Sequence, residues 1–252
     1  MSGSNFTRIN LPQHLQDRLE DEAYILEQVR HPRVPRLISY QRAHNQPILV
    51  MERAAGLNLE EVSLREGRLK PRLIIRIADQ LADILRNLRR ESGPAGRPIV
   101  HGDIKPSNLL IDTDDQPKVA DFGLAMMEDK LSLSRSGEFM GTPFYMSPEQ
   151  AASKRMGIDH RTDVFSLGAT LYESLTLTRP FTGDTSQQVL KKIVTEDPPD
   201  PRILKSRCPR DLAIICMKAL EKAPRHRFQS MTEFAADLRR FLSNEAIQAL
   251  PP

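Results

Sequence analysis

Residues 100–112 read VHGDIKPSNLLID, and this stretch decides the fold. Asp103 and Asn108 stand five apart with Lys105 between them, on a loop broken by Pro106 that leads into a short apolar strand. Thirteen residues after Asn108 comes Asp121-Phe122-Gly123, preceded by a strand-like run from Pro117 to Ala120. Asn108 and Asp121 both carry side-chain oxygens, and hard divalent cations such as Mg²⁺ take oxygen ligands alongside phosphate oxygens. Asp103 is then free to take a proton from a hydroxyl, while Lys105 can neutralise charge on a phosphoryl group as it moves. One loop thereby offers a base, a metal ligand and a cation.

Outward from this centre, turn signals divide the chain near Gly56 into a short mixed front and a long helical remainder. In the front, Leu15, Leu19, Ala23, Leu26 and Val29 form a helical stripe that ends at His31-Pro32. Two short strands are expected next, over Arg36 to Tyr40 and Pro47 to Met51. Beyond Gly56, the apolar positions Leu73, Ile74, Ile77, Leu81, Ile84, Leu85 and Leu88 predict an amphipathic helix, closed by the loop Ser92 to Gly96. Further helices are expected near 162–178, 186–195, 210–221 and 231–243. A strand-bearing lobe followed by a larger helical lobe places a cleft at their junction, where ligands tend to bind.

Composition agrees with a globular chain of this kind. With 252 residues, 39% hydrophobic and 27% charged, it can bury a sizeable core, which excludes the disordered, fibrous and membrane classes. The formal charge is +3, but Lys and Arg alternate with Asp and Glu along the sequence, so no nucleic acid is expected as a partner. Cys208 and Cys216 form no CxxC pair, which fits two buried, reduced thiols in a cytoplasmic protein. The longest apolar runs, such as Leu212 to Met217, are too short to cross a bilayer, and Met1 to Asn10 lacks an apolar signal core. No membrane segment is expected, and the expected location is cytoplasmic.

The string HGDIKPSN resembles the catalytic loop of protein kinases, and Asp121-Phe122-Gly123 resembles their metal-binding motif. A lysine two residues after Asp103 is similar to serine/threonine kinases more than to tyrosine kinases, in the style of the bacterial members. GTPFYMSPEQ at 141–150 resembles the end of a kinase activation segment, with Ser147-Pro148-Glu149 in place of Ala-Pro-Glu. The resemblance covers roughly Phe6 to Leu242 and implies an α+β, bilobal, protein-kinase-like fold. A truncated small β/α N-lobe would occupy 1–55, and a large, mainly α-helical C-lobe 56–252.

The same resemblance implies ATP and Mg²⁺ as cofactors, and a protein with a Ser or Thr acceptor as partner. It makes Asp103 the base, Lys105 the phosphate cation, Thr142 a hydroxyl bonding beside them, and Asn108 and Asp121 the metal ligands. Glu22, nine residues before His31-Pro32, matches the family's N-lobe helix glutamate. In ILVMERAAGLNL, Met51 matches the gatekeeper, Glu52 and Ala54 the backbone contacts to adenine, and Leu110 further on the floor beneath it. Asp163 in DVFSLGATLYE matches an aspartate that ties down the catalytic loop, and Arg227 in RHRFQS matches a structural partner for Glu149.

Two features depart from the family pattern. No G-x-G-x-x-G string occurs in these residues and the first lysine is Lys70, so aligning Phe6 to Leu11 with the family's third strand puts Thr7 or Arg8 at its lysine position. Arg and Lys are not equivalent at a phosphate. Each lost charge-assisted bond would weaken nucleotide binding by about 1.5–3 kcal/mol. Secondly, Gly102 stands where many kinases have an arginine that receives an activation-loop phosphate, which implies a loop that orders without phosphorylation. Ser132, Ser134, Ser136 and Thr142 remain as hydroxyls in that loop. Three functions stay open at this point: an ATP- and Mg²⁺-dependent protein serine/threonine kinase, a pseudokinase or interaction module, and a piece of a longer kinase carrying the remaining parts upstream.

Overall fold

A computed structural model describes residues 11–44, 46–66, 71–90, 99–112, 114, 116–122, 126–127, 143–152 and 158–251. Its first helix, α1 (Gln13–Gln28), buries Ala23 and Leu26 of the expected apolar stripe together with Ile25, while Leu15 and Leu19 are half-buried. The chain turns extended at Val29, short of Pro32, whose ring disfavours helical backbone in the residue before it. Strands β1 (Leu37–Ala43) and β2 (Gln46–Met51) then form an antiparallel hairpin in the register Tyr40↔Leu49 and Ser39↔Val50. Only two residues connect them, and His44 takes the positive φ of 51° that so tight a turn needs. The Tyr40 hydroxyl donates to Glu20 at 3.0 Å and Arg42 pairs with the same carboxylate, fastening the hairpin to α1.

The hairpin leads through residues 52–56 to β3 (Leu57–Asn58), which pairs with β5 (Leu109–Ile111), itself paired with β6 (Pro117–Val119). Gly56 makes this junction possible. Its φ is +116°, and a Cβ there would lie 2.1 Å from the Ile111 carbonyl oxygen. Helix α2 (Leu59–Glu66) follows at once and is absent from the elements that apolar periodicity predicts. Its sequence signal is a capping box, in which Glu61 N–H donates to Asn58 Oδ1 at 2.8 Å and Asn58 N–H to Glu61 Oε2 at 3.0 Å. Helix α3 (Pro71–Arg90) opens on a proline and buries Ile75, Ile77, Ala78, Leu81 and Ile84. A second small ladder joins β4 (Ile99–Val100) to β7 (Met126–Met127).

The remainder is helical: α5 (Arg161–Thr176), α6 (Ser186–Thr195), α8 (Arg210–Ala219) and α9 (Met231–Leu242) follow the predicted periodicity, and two single-turn helices that it does not predict, α4 (Pro148–Ala151) and α7 (Pro201–Leu204), each open on a proline. Helix α5 is buried almost all round, which makes it the axis of the core. Its hydroxyls on Ser166, Thr170, Ser174 and Thr176 are satisfied by donating to the carbonyls one turn back, at 2.8–3.2 Å. Helix α8 crosses it so closely that a Cβ on Gly168 would sit 2.7 Å from the Ala219 Cβ. Helix α9, capped by the Ser230 side chain, packs along α3, and its Asp237 is 1% exposed. That carboxylate accepts the amides of Gln248 at 2.9 Å and Ala249 at 2.7 Å, so the tail is built onto the helix. Neither cysteine forms a disulfide, and both are buried. Among the described residues, no helix is long and apolar enough to cross a membrane.

One ion pair locks the helical part together. Arg227 donates to Glu149 through two parallel bonds of 2.7 Å, with Arg227 2% and Glu149 8% exposed. The remaining guanidinium donors reach the carbonyls of Glu221, Lys222 and Arg161, and Thr162 donates to Glu149 at 2.8 Å. A buried pair satisfied in this way is costly to halve, because the survivor keeps its charge without its partner. Burial pushes the Glu149 carboxyl up, but the Arg227 hydrogen bonds and charge prevail and hold it below its ordinary 4.5. Its contribution is therefore complete above about pH 4.5 and fades as pH falls through the lower folded value. Glu149→Ala is expected to lose about 3–5 kcal/mol in urea unfolding. Glu149→Gln should flatten the fall in stability below about pH 4.5, which unfolding at stepped pH would measure.

Candidate active site

The loop from His101 to Asn108 is suspended from the helical core by backbone bonds. Asp163, in the first turn of α5, accepts the His101 amide at 3.0 Å and the Gly102 amide at 2.8 Å. Burial pushes its carboxyl up to about 7, against the pull of those two donors. The His101 ring is fully buried, 4.7 Å from the Phe122 ring, and burial pushes its pKa down to about 4. It is thus neutral near pH 7. Because its Nδ1 accepts the Asp103 amide at 3.3 Å, the ring proton belongs on Nε2.

Pro106 converts the loop into the single 3₁₀ turn Pro106–Asn108, which folds Asn108 back over Asp103. Asn108 Nδ2 donates to the Asp103 carbonyl at 2.9 Å and to Asp103 Oδ2 at 3.1 Å, and Lys105 Nζ reaches that same oxygen at 2.7 Å. Burial raises the Asp103 pKa, opposed by Lys105 and Asn108 and reinforced by the negative charge of Asp121. The carboxylate is more basic than an exposed one, yet its ionised form is bonded on two sides.

Asp121 arrives by way of the β5–β6 hairpin. The turn is closed by Asp112, whose Oδ1 accepts the amides of Asp114 at 2.9 Å and Gln116 at 2.8 Å. The ladder ends with the Ala120 amide on the Asn108 carbonyl at 3.0 Å, so Asp121 emerges one residue beyond Asn108's partner. Asp121 has φ of 64°, a left-handed conformation that is strained for a residue with a side chain. Directly after it, the buried Phe122 amide donates to Glu22 Oε1 at 3.2 Å, bridging from the centre of the loop cluster to α1. Burial raises the Glu22 pKa, with Asp121 adding to the effect and the Phe122 amide and Arg18 opposing it.

The structure therefore brings Asp103, Lys105 and Asn108 into direct contact, and links Asp121 and Glu22 through one residue. Met51 ends β2, and Glu52 and Ala54 lie in the connection to β3. The Glu52 amide is occupied by the Arg36 carbonyl at 2.8 Å, and its side chain lies 3.6 Å from Lys118 Nζ. Leu110 is half-buried while its neighbours Leu109 and Ile111 face the core, and it pairs with Asn58 just beyond that connection. Thr142 lies outside the described residues, as do Thr7, Arg8, Gly123 and the hydroxyls at 132–136. Gln150, not assigned by the sequence, donates through Nε2 to the Gly102 carbonyl at 2.8 Å. Its sequence signal is the capping box that it forms with Ser147.

Among the described residues, no group of three or more His, Cys, Asp or Glu is placed to hold a metal. A Mg²⁺ held by one or two protein oxygens plus phosphate needs no such group, and the oxygens of Asn108 and Asp121 fit that donor set. Asn108 presents its Nδ2 to Asp103, which leaves Oδ1 on the opposite side of the amide.

Sequence comparison agrees with this geometry. The family model described as protein kinase domain matches residues 8–237. Serine/threonine-protein kinase PknB of Mycobacterium tuberculosis is 36% identical over 205 residues, covering 81% of this chain and 32% of its own length. PknB of Mycobacterium leprae is 34% identical over 237 residues, covering 92% of this chain and 37% of its own. Tyrosine-protein kinase MasK of Myxococcus xanthus is 33% identical over 233 residues, covering 90% and 36%. The chain spans about a third of the length of these curated relatives.

Glu22→Ala should leave the buried Phe122 amide without an acceptor, at a cost of about 1–3 kcal/mol in urea unfolding. Glu22→Gln keeps an acceptor oxygen and should lose less. Equal losses for the two variants would show that the amide bond is not the source.

Proposed function

The chain belongs to the protein kinase domain family, and on that premise we propose that it transfers the γ-phosphoryl group of ATP to serine or threonine hydroxyls of a protein. The observation that carries this is the bonded set of Asp103, Lys105 and Asn108 with Asp121 at the end of the adjoining hairpin. Asp103 accepts the hydroxyl proton as the acceptor oxygen forms its bond to the γ-phosphorus and the bond from that phosphorus to the bridging oxygen of ADP breaks. Lys105 balances charge on the phosphoryl oxygens in flight. Asn108 and Asp121 would hold Mg²⁺ alongside phosphate oxygens, and the ion would supply charge neutralisation there. The segment from Met51 to Ala54 and the side chain of Leu110 would receive the adenine. Since the Glu52 amide is already engaged, that residue contributes its carbonyl, and Ala54 its own backbone.

The lysine two residues after Asp103 supports a serine or threonine acceptor, and PknB is named for that class. MasK, named a tyrosine kinase, makes the acceptor a point for direct measurement. The family resemblance, together with two buried cysteines outside any disulfide, supports work in the cytoplasm. Asp103→Asn is expected to lower turnover by about 10²–10⁴-fold while leaving Mg-ATP affinity nearly unchanged, because the base touches no phosphate in the ground state. Asp121→Asn should abolish the Mg²⁺ dependence of nucleotide binding. Labelled-phosphate transfer, calorimetric titration and phosphoamino-acid analysis test these points. Unchanged turnover in Asp103→Asn would sink the assignment of the base, and phosphotyrosine as the only product would overturn the acceptor class.

A further inference from the structure

Gln150 holds a position in the loop that the resemblance does not account for. The peptide between Gly102 and Asp103 is one planar unit, with the Gly102 oxygen at one end and the Asp103 N–H at the other. Gln150 Nε2 holds the oxygen at 2.8 Å and His101 Nδ1 accepts the N–H at 3.3 Å. Gly102 lies at φ 73° and has no side chain, so resistance to rotating this unit must come from outside the residue. A rotation would carry the Asp103 carboxylate away from Lys105 and Asn108, which approach it at 2.7 and 3.1 Å.

Gln150 is itself rigidly placed. Its Oε1 accepts the Ser147 amide at 3.0 Å and the Ser147 hydroxyl at 3.2 Å, and that hydroxyl lies 3.3 Å from Thr162 Oγ1. Its neighbour Glu149 carries the buried pair with Arg227. We propose that Gln150 is a positioning residue, which fixes the orientation of Asp103 from the activation-segment side through an unmodified hydrogen bond. Gly102 offers no cation for a phosphate to order, and the amide of Gln150 does that ordering permanently. The role given to Asp103 rests on the kinase reading; the hold on its peptide does not.

Gln150→Glu separates the two halves of this side chain. A glutamate is an ordinary partner in a capping box, so its oxygens still accept from Ser147, but it brings an acceptor instead of a donor to the Gly102 carbonyl. The variant is expected to lower kcat by about tenfold or more, with KM for Mg-ATP and for the acceptor peptide within about twofold and little change in Tm. Residue-resolved amide exchange should show the Asp103 N–H opening at least about tenfold faster, while the Ala151 and Ala152 amides of α4 exchange as before. Unchanged exchange at Asp103 overturns the hold, and faster exchange with unchanged kcat overturns the positioning role. Should Gln150→Glu fail to fold, Gln150→Met removes the donor without adding charge, and the same exchange readout decides. A chain that transfers no phosphate at all counts against the proposed activity, and the exchange rates still decide whether Gln150 holds the peptide.

Discussion

Two backbone amides, those of His101 and Gly102, end on the buried carboxylate of Asp163, and the candidate site takes its shape from that attachment. A loop that gathers the polar side chains of Asp103, Lys105 and Asn108 cannot be stabilised by its own hydrophobic contacts. It borrows rigidity from α5, the most deeply buried helix, through a group that is itself 2% exposed. Such a carboxylate would be costly if unpaired, and its two amide donors are what make it tolerable inside the core. Once that loop is fixed, the 3₁₀ turn places Asn108, and the hairpin placed by Asn108 delivers Asp121.

A second chain of dependence runs through Phe122. Its ring lies tilted against that of His101 and its amide ends on Glu22, so α1 and the loop cluster share one buried residue. Displacing α1 breaks that bond and exposes an amide, and moving Phe122 frees a buried glutamate. The free energy by which displacing α1 eases a displacement of Phe122 equals that by which displacing Phe122 eases one of α1, since coupling is reciprocal.

Much of this was legible because the chemistry is local in sequence. Asp103, Lys105 and Asn108 lie within six residues, and the helices α1, α3, α5, α6, α8 and α9 announce themselves by apolar period. Asp163 and Arg227 could be named from the sequence only by resemblance, because their partners are 62 and 78 residues away in the chain. Helix α2 was missed because it is short and its signal is a cap. The Gln150 contact was missed because its capping box explains the residue locally, leaving no reason to look for a second partner 48 residues away. Geometry of that sort comes from packing α4 against the loop, which no single stretch of sequence encodes.

The family match ends at Asp237, in the middle of α9, yet that residue is where the tail is fastened. Its carboxylate, 1% exposed, is bonded to Arg240 and to the amides of Gln248 and Ala249, while Ala249 is buried and Ile247 packs on the core. An expression boundary drawn at the end of the match would sever a helix. One drawn just after the helix would strip two amides from an interior charge and uncover the surface that the tail protects. The unit that must be kept to obtain a stable domain is therefore longer, by about a dozen residues, than the unit recognised by homology.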